Sequence, residues 1–113
     1  MKYHVEINPD AEQDIKRNAQ WWSDTYSQDQ AEVWFFEVHE QLKALSSLPL
    51  RHQIADEDEQ FPYELRQMLV GLGNPRTYRA VYTVQNEIVH VLAVRRASQG
   101  PIHPLDLPPK GLQ

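Results

Sequence analysis

One segment decides the fold of this chain: residues 65–96, LRQMLVGLGNPRTYRAVYTVQNEIVHVLAVRR. It contains three runs that are rich in apolar residues and alternate with the period of a β-strand. Turn-forming residues, among them glycine, asparagine and proline, separate these runs. The runs cover 65–70, 77–84 and 88–95, and the breaks cover 71–75 and 85–87. This pattern predicts a meander of three antiparallel strands.

The first 26 residues predict a strand followed by a helix. Residues 3–7 alternate between apolar and polar side chains, which is typical of a half-buried strand. Asn8 then favours a helix start as an N-cap, with Pro9 at the first helical position. The apolar side chains that follow lie on one helical face: Ala11, Ile15, Ala19, Trp22 and Tyr26. An amphipathic helix of about four turns is expected.

A second helix is predicted from Ser27 onward. Ser27 and Gln30 have the spacing of a capping box, and a second apolar stripe follows them. The helix should end near residues 46–47, before Pro49. The whole chain thus predicts an α+β fold: an N-terminal strand, an antiparallel helix hairpin, and a three-stranded antiparallel meander packed against the two helices.

Composition narrows the class of protein. A chain of 113 residues with 41% apolar residues fits one domain, which we expect over residues 1–98, followed by a proline-rich tail over 99–113. Because there is no cysteine, disulfides, thiolate nucleophiles and cysteine-based metal sites are excluded. No signal peptide or membrane-spanning segment is evident, so a cytoplasmic protein is expected.

Charge is unevenly distributed along the chain. Residues 1–64 carry 5 basic residues against 14 acids, a net −9, whereas residues 65–113 carry 6 against 2, a net +4. The strand segment contains a single acid, Glu87, and five arginines: Arg66, Arg76, Arg79, Arg95 and Arg96. Arginine binds phosphate and carboxylate bidentately, so this segment predicts a localised site for an anionic partner. The overall net charge of −5 argues against diffuse coating of nucleic acid.

Three of these arginines are the candidate catalytic or contact groups: Arg66, Arg79 and Arg95. They could form a clamp for phosphate or carboxylate if the strand register brings them together. Arg95 and Arg96 are adjacent, so they should point to opposite faces of the sheet and only one can join such a clamp. Side chains available for stacking, proton transfer or support of the sheet are Tyr78, Tyr82, His90 and His103.

The alternative interpretation is structural. The arginines would then lie on a solvated sheet face or pair with acids of the helices, and the acid run 56–59 would be a solvated loop that could also screen the arginine face. The tryptophans and phenylalanines of the two helices are predicted to pack in the core. The histidines lack metal-ligand spacing, so no metal or other cofactor is expected.

Five short segments, in this order, resemble the RelE/ParE toxin superfamily of bacterial type II toxin–antitoxin pairs. They are PDAEQDI at 9–15, the helix end at 45–49, ELR at 64–66, YRAVY at 78–82 and VHVLAVR at 89–95. The resemblance covers residues 3 to 98. It implies a small α+β toxin that a cognate antitoxin neutralises by laying an extended or helical segment over its sheet and helices.

The resemblance leaves more than one activity open. ParE-like members block DNA gyrase, whereas RelE-like members are endoribonucleases that cut messenger RNA on the ribosome with basic side chains. Here the segment 54–59 reads IADEDE without lysine, and no tyrosine follows the last strand. The long helix hairpin and the ELR strand are closer to ParE, so a growth-inhibiting toxin of a plasmid-stabilisation module, acting on a protein target, is expected.

Two alternatives follow from these departures. An endoribonuclease would use the arginines to stabilise the transition state and His90 or His103 as the base. An inactive relative would only bind its antitoxin. The expected partners are thus an antitoxin and either gyrase or ribosome-bound messenger RNA, in a homodimer or a toxin–antitoxin hetero-oligomer.

Overall fold

The computed structural model describes residues 2–102 and confirms the predicted order of one strand, two helices and three strands. The elements are β1 (His4–Ile7), α1 (Pro9–Thr25), α2 (Gln28–Lys43), β2 (Arg66–Val70), β3 (Tyr78–Gln85) and β4 (Ile88–Arg96). Short 3₁₀ helices at Ala44–Ser46, Pro49–Arg51 and Asp58–Gln60 lie between α2 and β2. Neither α-helix within residues 2–102 is long and apolar enough to cross a membrane.

Both helices start where the sequence predicts, but only the second has its predicted side-chain capping hydrogen bond. Ser27 caps α2 as predicted, because its hydroxyl accepts a hydrogen bond from the Gln30 backbone N–H at 3.1 Å. Asn8 occupies the N-cap of α1, yet its side chain makes no capping hydrogen bond. Its backbone instead continues the sheet, since the Asn8 N–H donates to the Val91 carbonyl. Pro9 and the acids of the first turn are therefore the features that favour this helix start.

The four strands form one sheet in the order β1-β4-β3-β2. The pairs β2–β3 and β3–β4 are antiparallel, which confirms the meander, and β1 adds to β4 in parallel. The helix hairpin connects β1 to β2, which lie at opposite edges of the sheet. The sequence patterns did not indicate that β1 joins the far edge of the meander beside β4.

Strand register decides which side chains share a face. In β2–β3 Arg66 pairs with Tyr82, and in β3–β4 Arg79 pairs with Arg95. A bulge interrupts the pairing of β3 with β4: Val81 is opposite Ala93, but Tyr82 is opposite Val91. Leu92 is therefore an extra residue of β4. It packs with Ala93 in the same buried cluster.

The sheet is buried on both faces. One core lies between the helices and the sheet and is built around Trp34, Ile15 and Tyr82. A second core covers the opposite face, which we call the outer face, where Val81 and Leu92 pack under Ala55 and Ile102. Because both faces are covered, β3 and β4 carry nearly continuous apolar residues.

A glycine at the end of β2 fits closely against the first core. Gly71 has a φ of +98°, and a Cβ atom placed on it would lie 3.0 Å from the indole nitrogen of Trp34 and 3.3 Å from Tyr78. Its N–H and carbonyl are both bound by the side-chain amide of Gln41, at 2.7 and 3.1 Å. The backbone therefore cannot move away from the indole without losing these two hydrogen bonds.

Gly71→Ala should lower the free energy of unfolding by about 2 kcal/mol, because the new methyl group overpacks the core and the left-handed backbone disfavours a side chain. Urea denaturation measures this change. Gly100→Ala is the matched control, since nothing lies within 4 Å of a Cβ there and its stability should not change. Equal stabilities of the two variants would contradict this account of the core.

Candidate functional site

Arg79 of β3 is bound in a buried ion pair on the outer face. Its two terminal nitrogens donate to the two carboxylate oxygens of Glu57, at 2.8 and 2.6 Å. The exposed fractions are only 4% for Arg79 and 1% for Glu57. Gln67 Oε1 accepts a further hydrogen bond from Arg79 at 3.1 Å, and Glu57 Oε2 accepts one from the Ile102 N–H at 2.8 Å. The pair thus joins the sheet to both segments that cover it.

The environment of Glu57 stabilises its charged form. Burial alone raises the pKa of this carboxyl group, but the hydrogen bonds from Arg79 and from the Ile102 N–H outweigh it and hold the pKa below its ordinary value. Removing either partner would leave a buried charge uncompensated. Arg79 is therefore committed to Glu57 and has no terminal nitrogen turned to solvent.

The prediction of a solvated acid loop over 56–59 is wrong for Glu57 and Asp58. Asp58 Oδ1 accepts a hydrogen bond from the Leu65 N–H at 2.7 Å, while Glu57 reaches Arg79. The loop folds over the outer face because Ala55, Phe61 and other apolar neighbours of these acids join the second core. An acid between apolar residues, facing an arginine-rich sheet, was the signal in the sequence that could have identified Glu57.

Arg66 lies on the other face of the sheet from Arg79. Its cross-strand partner Tyr82 belongs to the core beneath the helices, whereas Arg79 shares its face with Val81 of the outer core. One terminal nitrogen of Arg66 donates to the carbonyls of Leu50 and His52, at 3.0 and 2.6 Å. The structure therefore does not gather Arg66, Arg79 and Arg95 into one clamp, because the register separates Arg66 from the other two.

Arg95 and Arg96 point to opposite faces near the end of β4, as their adjacency predicted. Arg95 is directly across from Arg79, and Glu57 offsets the like charge between them. The Arg96 guanidinium lies 4.0 Å from the ring centroid of Trp21 on α1, a cation–π contact. Both arginines line an open groove of about 650 Å³ between α1 and β4.

Asp14 of α1 is a polar group of this groove that the sequence did not identify as a site residue. Its Oδ2 accepts a hydrogen bond from the Val94 N–H at 3.1 Å, on the edge of β4 beyond the end of β1. Burial raises the pKa of Asp14, while the Val94 N–H and the charges of Arg17 and Arg95 act in the opposite direction. The signal in the sequence that could have identified Asp14 was its position, one residue before the buried Ile15.

The predicted tyrosines support the core of the sheet. Tyr78 accepts a hydrogen bond from the Trp22 indole at 3.2 Å, and its ring lies 4.9 Å from that of Trp34. The Tyr82 hydroxyl donates to the Pro49 carbonyl at 2.5 Å. Burial raises the pKa of Tyr82 to about 12, with the charges of two nearby arginines acting in the opposite direction. This hydroxyl is therefore held protonated and bound to the Pro49 carbonyl.

His90, one of the two predicted histidines, does not join the arginines. His90 lies on β4 with Nδ1 3.8 Å from Glu6 Oε1 of β1, and it is five residues from Arg95, about 16 Å along a strand. His103 lies outside the described residues. Within residues 2–102 no three histidine or carboxylate side chains are grouped so that they could hold a metal ion.

Glu57→Gln should reduce the free energy of unfolding at pH 7 by about 3–5 kcal/mol, because Arg79 then remains buried without its counter-charge. The difference from the wild type should shrink as the pH falls from the ordinary Glu value of 4.5 through the lower pKa of folded Glu57, where the wild-type carboxyl group is also neutralised. Urea midpoints between pH 7 and pH 3 measure both effects.

Glu59→Gln is the matched control for that experiment, because Glu59 is an exposed acid of the same run. The free energy of unfolding of this variant should equal that of the wild type at every pH. A difference between Glu57→Gln and the wild type that stays constant with pH would show that the ion pair is not its source.

Several solved structures resemble this fold. A chain from the chromosomal ParDE toxin–antitoxin system of P. aeruginosa superposes with a TM-score of 0.68 at 15% identity, covering 84% of this chain and 96% of its own. A mutant of the E. coli toxin RelE in the free state superposes with a TM-score of 0.50 at 16% identity, covering 87% and 86%. At these identities the likeness concerns the fold alone.

Comparison with curated protein sequences gives no significant match. A family model described as the ParE toxin of the type II toxin–antitoxin system parDE matches residues 5–101. The match includes both helices, all but the first residue of the four-stranded sheet, and the loop that carries Glu57. This chain therefore belongs to the ParE toxin family of type II toxin–antitoxin systems.

Proposed function

We propose that this protein inhibits bacterial growth in the cytoplasm by binding a protein target, DNA gyrase, and that a cognate antitoxin holds it inactive, as in a plasmid-stabilisation module. The observation that carries this proposal is the commitment of Arg79 to Glu57. A toxin that acts by protein contact needs no free cluster of guanidinium groups, whereas an RNA-cutting toxin does.

The arrangement of the sheet arginines argues against the endoribonuclease alternative. Stabilising a phosphorane-like transition state requires donors that converge on one phosphate. Here Arg79 is bound by a carboxylate, and Arg66, on the other face, is bound by backbone carbonyls and by the Glu64 carboxylate. A net charge of −5 would also steer the protein poorly towards ribosomal RNA.

The helix hairpin offers the surface on which we place the antitoxin. Val33 and Phe36 lie one turn apart on α2 and are 54% and 61% exposed. Exposed acids surround them on the same helix: Asp29, Glu32 and Glu40. An antitoxin segment with apolar side chains and basic neighbours would match this surface in shape and charge. In the competing arrangement, a second copy of this chain covers these apolar side chains in a homodimer.

The activity is tested with purified components. The protein should reduce the supercoiling of relaxed plasmid by gyrase in a dose-dependent manner and should leave messenger RNA intact on translating ribosomes. Gyrase without the protein, and ribosomes without it, are the controls. Cleavage of the messenger RNA with unchanged supercoiling would replace the proposal by the endoribonuclease, and neither effect would favour an inactive relative that only binds its antitoxin.

A further inference from the structure

The segment of residues 46–54 between α2 and β2, which we call the Leu48 loop, is held firmly by the sheet beneath it. The Tyr82 hydroxyl binds the Pro49 carbonyl, and Arg66 binds the carbonyls of Leu50 and His52. At its two ends the Ser46 carbonyl accepts from the Tyr3 N–H, and the Gln53 carbonyl accepts from the Gln67 N–H. The backbone of this loop is therefore ordered before any partner arrives.

The outer side of the same loop displays large apolar side chains. Leu48 is 65% exposed, Leu50 is 49% exposed and Ile54 is 41% exposed. Leu48 also has left-handed backbone angles, with φ +49° and ψ +51°. Glycine or asparagine adopts these angles at lower cost than leucine. Folding alone therefore does not explain why position 48 is leucine, and it does not explain why this side chain is exposed.

The electrostatic character of the loop differs from that of the helices. Residues 46–54 contain no acid and one exposed cation, Arg51, in a chain of net charge −5. The one carboxylate bound to Arg66 in this region is that of Glu64, at 3.0 Å. Burial lowers the pKa of His52, and the charges of Arg51 and Arg66 lower it further. The loop is therefore an apolar surface with one exposed cation and no acid, on an acidic protein.

We propose that the Leu48 loop is the surface through which this toxin binds its cellular protein target, by receiving a target segment of apolar side chains flanked by carboxylates. The inference rests on the proposed function and names the contact surface and the chemistry of the partner. A preordered loop loses little conformational entropy on binding, so more of the interaction energy of its exposed apolar side chains contributes to affinity.

Charge complementarity separates this partner from the antitoxin. The α2 surface around Val33 and Phe36 has an acidic rim, so it suits a basic partner segment. The Leu48 loop carries Arg51 and no acid, so it suits an acidic one. Two exposed apolar surfaces with opposite charge can therefore discriminate between two partners, because the wrong pairing places like charges against each other.

The double variant Leu48→Asp/Leu50→Asp tests the assignment. Aspartate tolerates left-handed backbone angles better than leucine does, so the loop should keep its conformation. On induction in bacteria, we expect survival at least tenfold higher than with the wild type, while co-expression of the antitoxin gene beside the toxin gene gives a complex of unchanged affinity. Arg51→Glu, which reverses one exposed charge, should raise survival in the same direction.

Leu69→Asp is the matched control, since Leu69 is 41% exposed on β2 outside the loop, and it should remain as toxic as the wild type. Circular dichroism and thermal melting of each purified variant establish that it is folded. A folded double variant that is fully toxic overturns the inference and leaves the proposed function intact. A folded double variant that loses antitoxin affinity also overturns it, whereas a wild type that does not inhibit growth overturns the proposed function itself.

Discussion

The buried pair of Arg79 and Glu57 is the interaction on which the outer half of this molecule depends. Two charges at 1–4% exposure are tolerated only because each satisfies the other and because Gln67 and the Ile102 N–H complete their hydrogen bonds. The pair holds the loop before β2 and the segment after β4 over the same face of the sheet. The second core under them gains its cover from this connection.

The same interaction changes what the arginines of the sheet can do. An arginine cluster on an acidic toxin suggests phosphate chemistry when it is read along the sequence, but in the structure three of these arginines have separate contacts. Arg79 neutralises a buried acid, Arg66 supports the Leu48 loop, and Arg96 packs on Trp21. The surfaces proposed for partners instead present exposed apolar side chains, which fits protein–protein contact.

Local signals explain how much of the fold could be predicted from the sequence. The helix hairpin and the meander follow from apolar periodicity, from the Ser27 cap and from turn residues, all of which act over a few positions. The site could not be predicted equally well because it depends on register and on loop closure. Tertiary packing determines that Arg66 pairs with Tyr82 and not with a neighbour of Tyr82. It also determines the contact between Glu57 and Arg79, which are 22 positions apart in the sequence.

The central claim is that this toxin acts through protein contact on DNA metabolism and leaves messenger RNA intact. Pulse labelling tests it most directly: the protein is induced alone in bacterial cells, and incorporation of labelled thymidine and labelled methionine is followed separately over the first minutes. The account predicts that DNA synthesis falls first while translation continues. An early collapse of protein synthesis with DNA synthesis still proceeding would contradict it.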